Sequence, residues 1–252
     1  MSVATIHRTE VDGRSLHGTT WLPVQRGRRG PVVLVHGLGM SRTYHRPLAE
    51  ELVDRGWPVH ALDLPGFGAS PGPRRALDIV ELGAALRGWL HARRLADAAL
   101  VGNSIGCQVV TETALTDPGR CRSLVLLSPT LDARARRWRH QLARWRREGS
   151  TQTWSMRRTI ARDFVRAGPP RVVGTFRHAL HDRPEERLPF LHQPALVVRG
   201  SRDPVVPPRW AREVADGLPR GELRELPGAT HAVNHEQPAQ TARVLDHFLR
   251  AA

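Results

Sequence analysis

The chain has 252 residues, enough to bury a substantial core, and its positive charge (net +14) comes wholly from arginine, since it contains no lysine. The arginines are scattered along the chain and match no DNA- or RNA-binding motif, so we expect no nucleic-acid partner. The N-terminal sequence lacks the basic start and apolar stretch of a secretory signal, and no apolar run approaches the roughly 20 residues of a membrane span. These features predict a cytoplasmic protein without membrane contact.

The first predicted elements are two extended stretches over residues 4–23, joined at Asp12-Gly13, a dipeptide that tolerates the positive φ angles of a hairpin turn. From residue 31 the pattern changes to short, continuous apolar runs, as expected for strands covered on both faces. These predicted strands occupy residues 31–37, 59–64, 98–103, 123–129, 195–200 and 222–226.

Segments with helical periodicity separate the strands, and residues 78–95 show it most clearly, with apolar residues at steps of three and four. Strands and helices in alternation predict an α/β fold with a mostly parallel central sheet and helices on both of its faces. The predicted helices occupy residues 44–55, 78–95, 209–217 and 238–249.

The strand pattern stops over residues 131–190, where arginine and tryptophan concentrate. We predict a helical cap here, inserted into a single domain whose core comprises residues 1–130 and 191–252. Two cap helices, through Phe164 and Phe176, are predicted on either side of a break at Gly168-Pro169-Pro170. One apolar helical stripe is predicted to join Leu131, Ala135, Trp138, Leu142 and Trp145.

We expect the cap stripe to pack against the sheet domain rather than to form a substrate wall, as an apolar helical face usually does. The arginine-rich face of the same segment is expected to be solvated. The alternative is that some of these arginines bind a carboxylate, a phosphate or a carrier-protein partner. The face includes Arg134, Arg137, Arg144 and Arg147.

The two cysteines, Cys107 and Cys121, lie in a segment that is predicted to be one helix and the residues that follow it. That spacing is typical neither of a disulfide framework nor of a metal-ligand set. We therefore expect two free, buried thiols and no metal site.

A serine flanked by glycines, Gly102-Asn103-Ser104-Ile105-Gly106, stands between a predicted strand and a predicted helix. A turn this sharp needs small neighbours and pushes the serine side chain out above the sheet. The helix N-terminus also directs backbone N–H groups toward developing negative charge. We therefore predict that Ser104 is a nucleophile.

A serine nucleophile needs a base and a group that orients the base. Asp203 and His231 each follow a predicted strand, which puts them at the same carboxyl edge of the sheet as Ser104. We predict that His231 is the base and that Asp203 orients it.

Each of these two assignments has an alternative. Asp132 follows the strand at residues 123–129 and is the alternative acid, whereas the Asp203-Pro204 dipeptide is also a turn signal. His235 is the alternative base, although its position beside Glu236 favours the start of a helix. The spacing of His231 and His235 does not indicate a metalloprotease, because that motif requires glutamate directly after the first histidine.

Five ordered landmarks run along the chain: His36-Gly37-Leu38-Gly39, Asp63-Leu64-Pro65-Gly66-Phe67-Gly68-Ala69-Ser70, the serine turn, Gly200-Ser201-Arg202-Asp203 with Pro204-Val205-Val206-Pro207, and Gly228-Ala229-Thr230-His231. Together they resemble the α/β-hydrolase family from about residue 31 to the C-terminus, apart from the cap. The resemblance implies an oxyanion hole formed by the backbone N–H groups of Leu38 and Ile105, and no cofactor is implied. We expect His36 to stabilise the oxyanion loop through hydrogen bonds, without proton transfer, and Asp63 to shape its own loop.

The predicted reaction is acyl transfer to water, in which Ser104 attacks the carbonyl of a small-molecule ester, thioester or lactone. Asn103 before the serine is similar to the residue found in family members that cleave carbon–carbon bonds in diketone acids, so that activity is the enzymatic alternative. Ala232 stands where those enzymes carry an aromatic residue. A ligand-binding protein on the same scaffold is the non-enzymatic alternative.

Overall fold

The computed structural model describes residues 3–24 and 29–252. The strands found there are β1 (Val3–Val11), β2 (Arg14–Leu22), β3 (Val32–Val35), β4 (Val59–Leu62), β5 (Ala98–Asn103), β6 (Cys121–Leu127), β7 (Ala195–Gly200) and β8 (Gly221–Leu226). They form one sheet in the order β1-β2-β4-β3-β5-β6-β7-β8. From β3 to β8 all neighbouring strands are parallel, which confirms the predicted mostly parallel sheet.

An antiparallel hairpin forms one edge of the sheet, as predicted. β1 and β2 pair from Val3 opposite Leu22 to Val11 opposite Arg14, and β2 continues antiparallel along β4. The turn residues Asp12 and Gly13 have φ angles of +47° and +72°. Because Asp and Gly tolerate this left-handed region better than most residues, the dipeptide fixes the position of the turn.

The helices are α1 (Arg46–Asp54), α2 (Ile79–Ala92), α3 (Gly106–Thr116), α4 (Trp138–Thr151), α5 (Trp154–Ala167), α6 (Pro169–His181), α7 (Pro184–Arg187), α8 (Pro208–Gly217), α9 (Val233–Glu236) and α10 (Pro238–Ala251). Among the described residues, no helix is long and apolar enough to cross a bilayer. The start of α2 is fixed by a capping box, in which Asp78 accepts from the Glu81 backbone N–H at 2.8 Å and the Glu81 carboxylate accepts from the Asp78 N–H. Such a cap stabilises a helix by about 1 kcal/mol.

Two apolar cores lie on opposite faces of the sheet. Val33 and Val35 of β3 join the core that contains residues of α2, α3 and α8, whereas Val32 and Leu34 join the core that contains residues of α1 and α10. Successive strand side chains point to opposite faces, so a continuous apolar run is what a strand covered on both sides requires. Each fully buried Val or Leu side chain contributes about 1.5–3 kcal/mol.

Both cysteines are free and buried, as expected. Cys107 lies on α3, and Cys121 begins β6. Burial raises the pKa of the Cys121 thiol to about 12, so it stays protonated at neutral pH.

The chain between β6 and β7 contains α4 to α7, in the segment predicted as a cap, for which we keep that name. The predicted single stripe from Leu131 to Trp145 is wrong at its start. Asp132 accepts from the Arg134 backbone N–H and initiates a short 3₁₀ turn, so α4 begins only at Trp138. Leu131 and Ala135 are buried before that helix. The domain boundaries at residues 130 and 190 stay a prediction.

The expectation of a solvated arginine face is also partly wrong. Arg144 of α4 is only partly exposed and forms an ion pair with Asp132 at 2.9 Å. Arg134 is exposed but pairs with Glu213 of α8 at 2.7 Å. The Arg134–Glu213 pair connects the cap to α8, whereas the Arg144–Asp132 pair lies within the cap.

Candidate active site

Ser104 lies in the tight turn between β5 and α3, with a φ angle of +56°. The turn needs glycine on both sides: a Cβ atom at Gly102 would lie 2.4 Å from the Gly106 carbonyl oxygen, and one at Gly106 would lie 2.4 Å from the Val35 carbonyl oxygen. The Ser104 N–H donates to Leu127 O of β6 at 2.9 Å, which fixes the turn to the sheet. A serine in this strained conformation is held out above the strand ends.

Asp203 lies in the loop after β7, where its two carboxylate oxygens have separate partners. Oδ1 accepts from the backbone N–H groups of Val205 at 2.8 Å and Val206 at 3.0 Å. Oδ2 is 2.9 Å from Nδ1 of His231 in the loop after β8. The backbone contacts orient the carboxylate, and the carboxylate in turn orients the imidazole with Nδ1 as the donor.

Burial and charge act in opposite directions on this pair. Burial alone would raise the pKa of Asp203, but the charge of His231 and hydrogen bonds from His231 and Val206 outweigh it, so the pKa of the carboxyl lies below its usual value. Burial would lower the pKa of His231, but the charge of Asp203, its hydrogen bond and the charge of Glu148 raise it. The site therefore favours an aspartate anion and an imidazole of increased basicity.

His231 Nε2 is buried and has no hydrogen-bond partner in the part of the chain that the structure describes. Its ring and Ser104 line the same cavity. The Ser104 hydroxyl lies 3.3 Å from the hydroxyl of Thr130, a residue that the sequence does not single out, instead of bonding to His231. A long or unmade contact between nucleophile and base is common in unliganded sites and can tighten when substrate binds.

The loop after β3 lies against the serine turn: a Cβ atom at Gly37 would be 3.1 Å from Ser104 Cβ. His36 holds this loop, with Nδ1 2.8 Å from Gly37 O and Nε2 accepting from Leu64 N–H at 3.0 Å, as expected. Within the described residues, the N–H groups of Leu38 and Ile105 make no hydrogen bond, so both remain available.

Asp63 shapes its loop, as expected. Its carboxylate accepts from the Arg42 backbone N–H at 2.6 Å and from the Ala69 N–H at 2.8 Å, and it also pairs with the Arg42 guanidinium. The side chain is fully buried. These contacts connect the loop after β4 with the loop after β3, which carries Leu38.

Neither alternative residue has a geometry that suits catalysis. Asp132 pairs with Arg144 at 2.9 Å and with Arg209 at 2.8 Å, so its oxygens serve cap attachment. His235 lies within α9, where Nδ1 is 3.2 Å from Tyr44 O and the two rings stack with centroids 5.6 Å apart.

A cavity of about 390 Å³ lies between the cap and the strand ends. The expectation that the tryptophan stripe packs against the sheet domain rather than forming a cavity wall is confirmed only in part: Trp145 packs against the main core, but Trp138, Leu142 and Trp145 all line this cavity. Trp138 and Leu142 remain 65% and 41% exposed, so the Trp138 ring and the Leu142 side chain form part of the open side of the cavity. The other apolar lining residues are Leu38, Met40, Tyr44, Met156, Ile160, Phe164, Val172, Val173, Phe176 and Ala232.

A sequence profile described as the alpha/beta hydrolase family matches residues 32–244. This chain belongs to the alpha/beta hydrolase family. The match includes every strand from β3 to β8 and the turn at Ser104.

Relatives and solved structures agree with this assignment. The hydrolase is 32% identical over 239 residues to a pimeloyl-[acyl-carrier protein] methyl ester esterase of Chromobacterium violaceum, covering 83% of this chain and 91% of that protein. It is similar in fold to a thermophilic esterase from Thermogutta terrifontis, with a TM-score of 0.80, 23% identity and 98% coverage of both chains. An enol-lactonase from Burkholderia xenovorans has a TM-score of 0.74, 20% identity, and coverage of 97% of this chain and 100% of its own.

Glu148 is a cavity residue of this hydrolase that the sequence reasoning missed. It lies on α4, is fully buried, and its Oε1 accepts from the His231 backbone N–H at 3.3 Å. Burial is the main reason that its pKa is raised to about 7, assisted by the charge of Asp203 and opposed by that of His231. The sequence feature that could have indicated Glu148 is its position: it is the one acidic residue of an arginine-rich cap helix, and it follows Trp145 by one turn.

The arrangement of the described side chains does not indicate a metal centre. Over residues 3–24 and 29–252, the structure has no group of three or more His, Cys, Asp or Glu side chains arranged to hold a metal ion. The Asp203 carboxylate instead accepts hydrogen bonds from His231 Nδ1 and from the backbone N–H groups of Val205 and Val206.

Proposed function

We propose that this hydrolase cleaves small-molecule carboxylic esters of apolar acids through an acyl-enzyme on Ser104. His231 is the base, Asp203 orients it, and the N–H groups of Leu38 and Ile105 bind the oxyanion. The observation that carries this proposal is the buried Asp203–His231 pair, because His231 Nε2 has no partner among the described residues and borders the cavity that Ser104 lines.

In the proposed reaction, Ser104 Oγ bonds to the ester carbonyl carbon while its proton passes to His231 Nε2. The oxyanion accepts hydrogen bonds from Leu38 and Ile105, each supplying about 3 kcal/mol of transition-state stabilisation. The carbon–oxygen bond to the alcohol then breaks, and the alcohol leaves with the proton from His231. Water, deprotonated by His231, hydrolyses the acyl-enzyme and regenerates Ser104.

The acyl group is proposed to be apolar because the cavity walls are. Of the described residues that line the cavity, none is an arginine, and Glu148 is the one carboxylic acid. An acyl chain can therefore bury its methylene groups there, at about 0.8 kcal/mol each. The similarity to an enzyme named as a methyl ester esterase supports ester chemistry.

The cavity disfavours the diketone-acid alternative. A substrate carboxylate needs a cation or several hydrogen-bond donors, whereas the described lining has no arginine and its amide donors, Asn103 and Gln152, stand among mainly apolar side chains. Thioesters and lactones place no such demand and can react by the same steps. They are therefore second to esters as proposed substrates.

The test is covalent labelling of the folded protein with a fluorophosphonate, read by intact mass. We expect one adduct on the wild type and none on Ser104→Ala, with ester hydrolysis reduced by about 10³-fold or more in the variant. Thr130→Ala is the matched control: it removes the hydroxyl next to Ser104 Oγ and should still form the adduct.

An adduct that persists in Ser104→Ala would contradict the proposed nucleophile. A folded wild-type protein that forms no adduct and hydrolyses no ester would instead favour a ligand-binding protein on this scaffold.

A further inference from the structure

Helices α4 and α5 of the cap each carry one buried carboxylate that is bonded to a loop of the sheet domain. Glu148 on α4 accepts from the His231 backbone N–H at 3.3 Å, and Asp163 on α5 accepts from the Ser41 hydroxyl at 2.7 Å. Ser41 ends the loop after β3, which also carries the proposed oxyanion-hole residue Leu38. Glu148 and Asp163 are 0% and 2% exposed, and they are the only acidic residues between positions 138 and 181.

Glu148 is the one of the two that lies beside the proposed base. It lines the cavity together with Ser104 and His231, and its helix also directs Trp145 onto the imidazole, with ring centroids 5.2 Å apart. A carboxylate is costly to bury in an apolar wall. If position 148 needed only to complete the apolar wall, an apolar side chain would serve there without this cost.

The ionisable groups that face Glu148 come from several elements. His231, in the loop after β8, favours the carboxylate anion, whereas Asp203, in the loop after β7, and Glu236, on α9, disfavour it. Tyr44, in the 3₁₀ turn before α1, stays neutral because burial and the charge of Glu148 raise its pKa. Of these groups, His231 is therefore the one that a charge on Glu148 can assist.

We propose that Glu148 is a positioning residue for His231: it holds the backbone of the histidine loop and supplies a buried negative charge that stabilises the imidazolium formed during the reaction. This inference rests on the proposed function, since it takes His231 as the base. Asp203 fixes the ring at Nδ1, and Glu148 acts from the cap on the opposite end of the residue, at its backbone N–H.

The arrangement makes activity depend on the protonation of Glu148. The pKa of this carboxyl is raised to about 7, so it is neutral in acid and becomes an anion as the pH rises through neutrality. The anion raises the pKa of His231 and stabilises its protonated form. Because the two groups interact, the acidic limb of the pH profile belongs to the pair.

The experiment compares pH profiles of kcat and kcat/KM for an activated apolar ester in two neutral variants. Glu148→Gln keeps a hydrogen-bond acceptor for the His231 N–H, whereas Glu148→Leu removes the acceptor and suits the apolar wall. In both we expect the acidic limb of kcat/KM to move to lower pH by about one unit, because an opposite charge has been removed. We also expect kcat above pH 8 to fall about tenfold, with KM changed less than about threefold.

Asp163→Asn is the matched control, since it neutralises the buried carboxylate of α5, which bonds to Ser41 and not to the histidine loop. Its acidic limb should coincide with that of the wild type. Two neutral Glu148 variants with an unshifted limb and unchanged kcat would overturn the proposal, even if their melting temperatures fall. Failure of the proposed function is distinguishable, because Ser104→Ala would then retain activity and the fluorophosphonate adduct, or the folded wild type would show neither.

Discussion

The indole of Trp145 lies edge to face with the imidazole of His231, with ring centroids 5.2 Å apart and planes at 79°. Asp203 bonds to the same imidazole at 2.9 Å through Nδ1. The ring is therefore restrained from the loop after β7 and from the cap helix α4. An aromatic pair of this kind contributes about 0.5–1.5 kcal/mol beyond the area that it buries.

Replacing Trp145 by alanine should lower kcat for ester hydrolysis by up to about tenfold, because about 1.4 kcal/mol of ring restraint is lost. Trp145→Phe keeps an aromatic edge and should stay within about threefold of the wild type. The measurement is steady-state kinetics with a short-chain p-nitrophenyl ester.

Trp138→Ala is the control for this prediction. Trp138 lines the same cavity from the same helix but is 65% exposed. Its loss should raise KM with little change in kcat. Equal effects of the Trp138 and Trp145 variants on kcat would contradict a specific role for the Trp145–His231 contact.

Asp203 and Asp132 can be distinguished by paired asparagine variants. Asp203→Asn leaves the geometry in place but allows the wrong tautomer of His231, so kcat should fall by roughly 10³- to 10⁴-fold with a small change in stability. Asp132→Asn weakens the ion pairs with Arg144 and Arg209, so it should lower the free energy of unfolding by about 1–3 kcal/mol and retain most activity. A reversal of these two patterns would identify Asp132 as the acid.

Local patterns in the sequence were sufficient for the sheet and for the three loops at its carboxyl edge. The glycines around Ser104 demand a sharp turn, and the positions of Asp203 and His231 after strands follow from the parallel arrangement of β7 and β8. The first prediction depends only on residues adjacent in the chain, and the second only on the fixed geometry of a parallel sheet.

The cap could not be predicted to the same depth, because its contacts join residues far apart in sequence. An apolar stripe such as Trp138 to Trp145 has the same periodicity whether it packs on a core or faces a cavity. The bond from the His231 N–H to Glu148 spans 83 positions and has no local signature. The position of Thr130 beside Ser104 likewise depends on how β6 aligns with β5.

The cavity predicts a preference for longer acyl chains. Because each buried methylene contributes about 0.8 kcal/mol, kcat/KM should rise about fourfold per added methylene until the cavity of about 390 Å³ is filled. Ile160→Trp narrows the cavity and should move the optimum to a shorter chain. Val80→Trp, at an exposed position on α2, is the control and should leave the optimum unchanged. A flat dependence on chain length in the wild type would argue against an acyl-binding cavity.

Buried histidines should make the protein sensitive to mild acid. Burial lowers the pKa of His60 to about 4 and that of His45 to about 3, below the unfolded value of 6.5. The stability from keeping each ring neutral is therefore fully present above pH 6.5 and is lost as the pH falls toward those values. For His60 the loss between pH 7 and pH 5 is about 2 kcal/mol.

The check is urea unfolding of His60→Gln at both pH values. Its loss of unfolding free energy between pH 7 and pH 5 should be about 2 kcal/mol smaller than that of the wild type. Thr20 Oγ1, which lies 2.9 Å from His60 Nδ1, can bond to the amide of the variant, so the comparison does not depend on an unpaired hydroxyl. His192→Gln, at an exposed position, should lose the same free energy as the wild type. If the His60 and His192 variants behave alike, acid sensitivity does not arise from the buried imidazole.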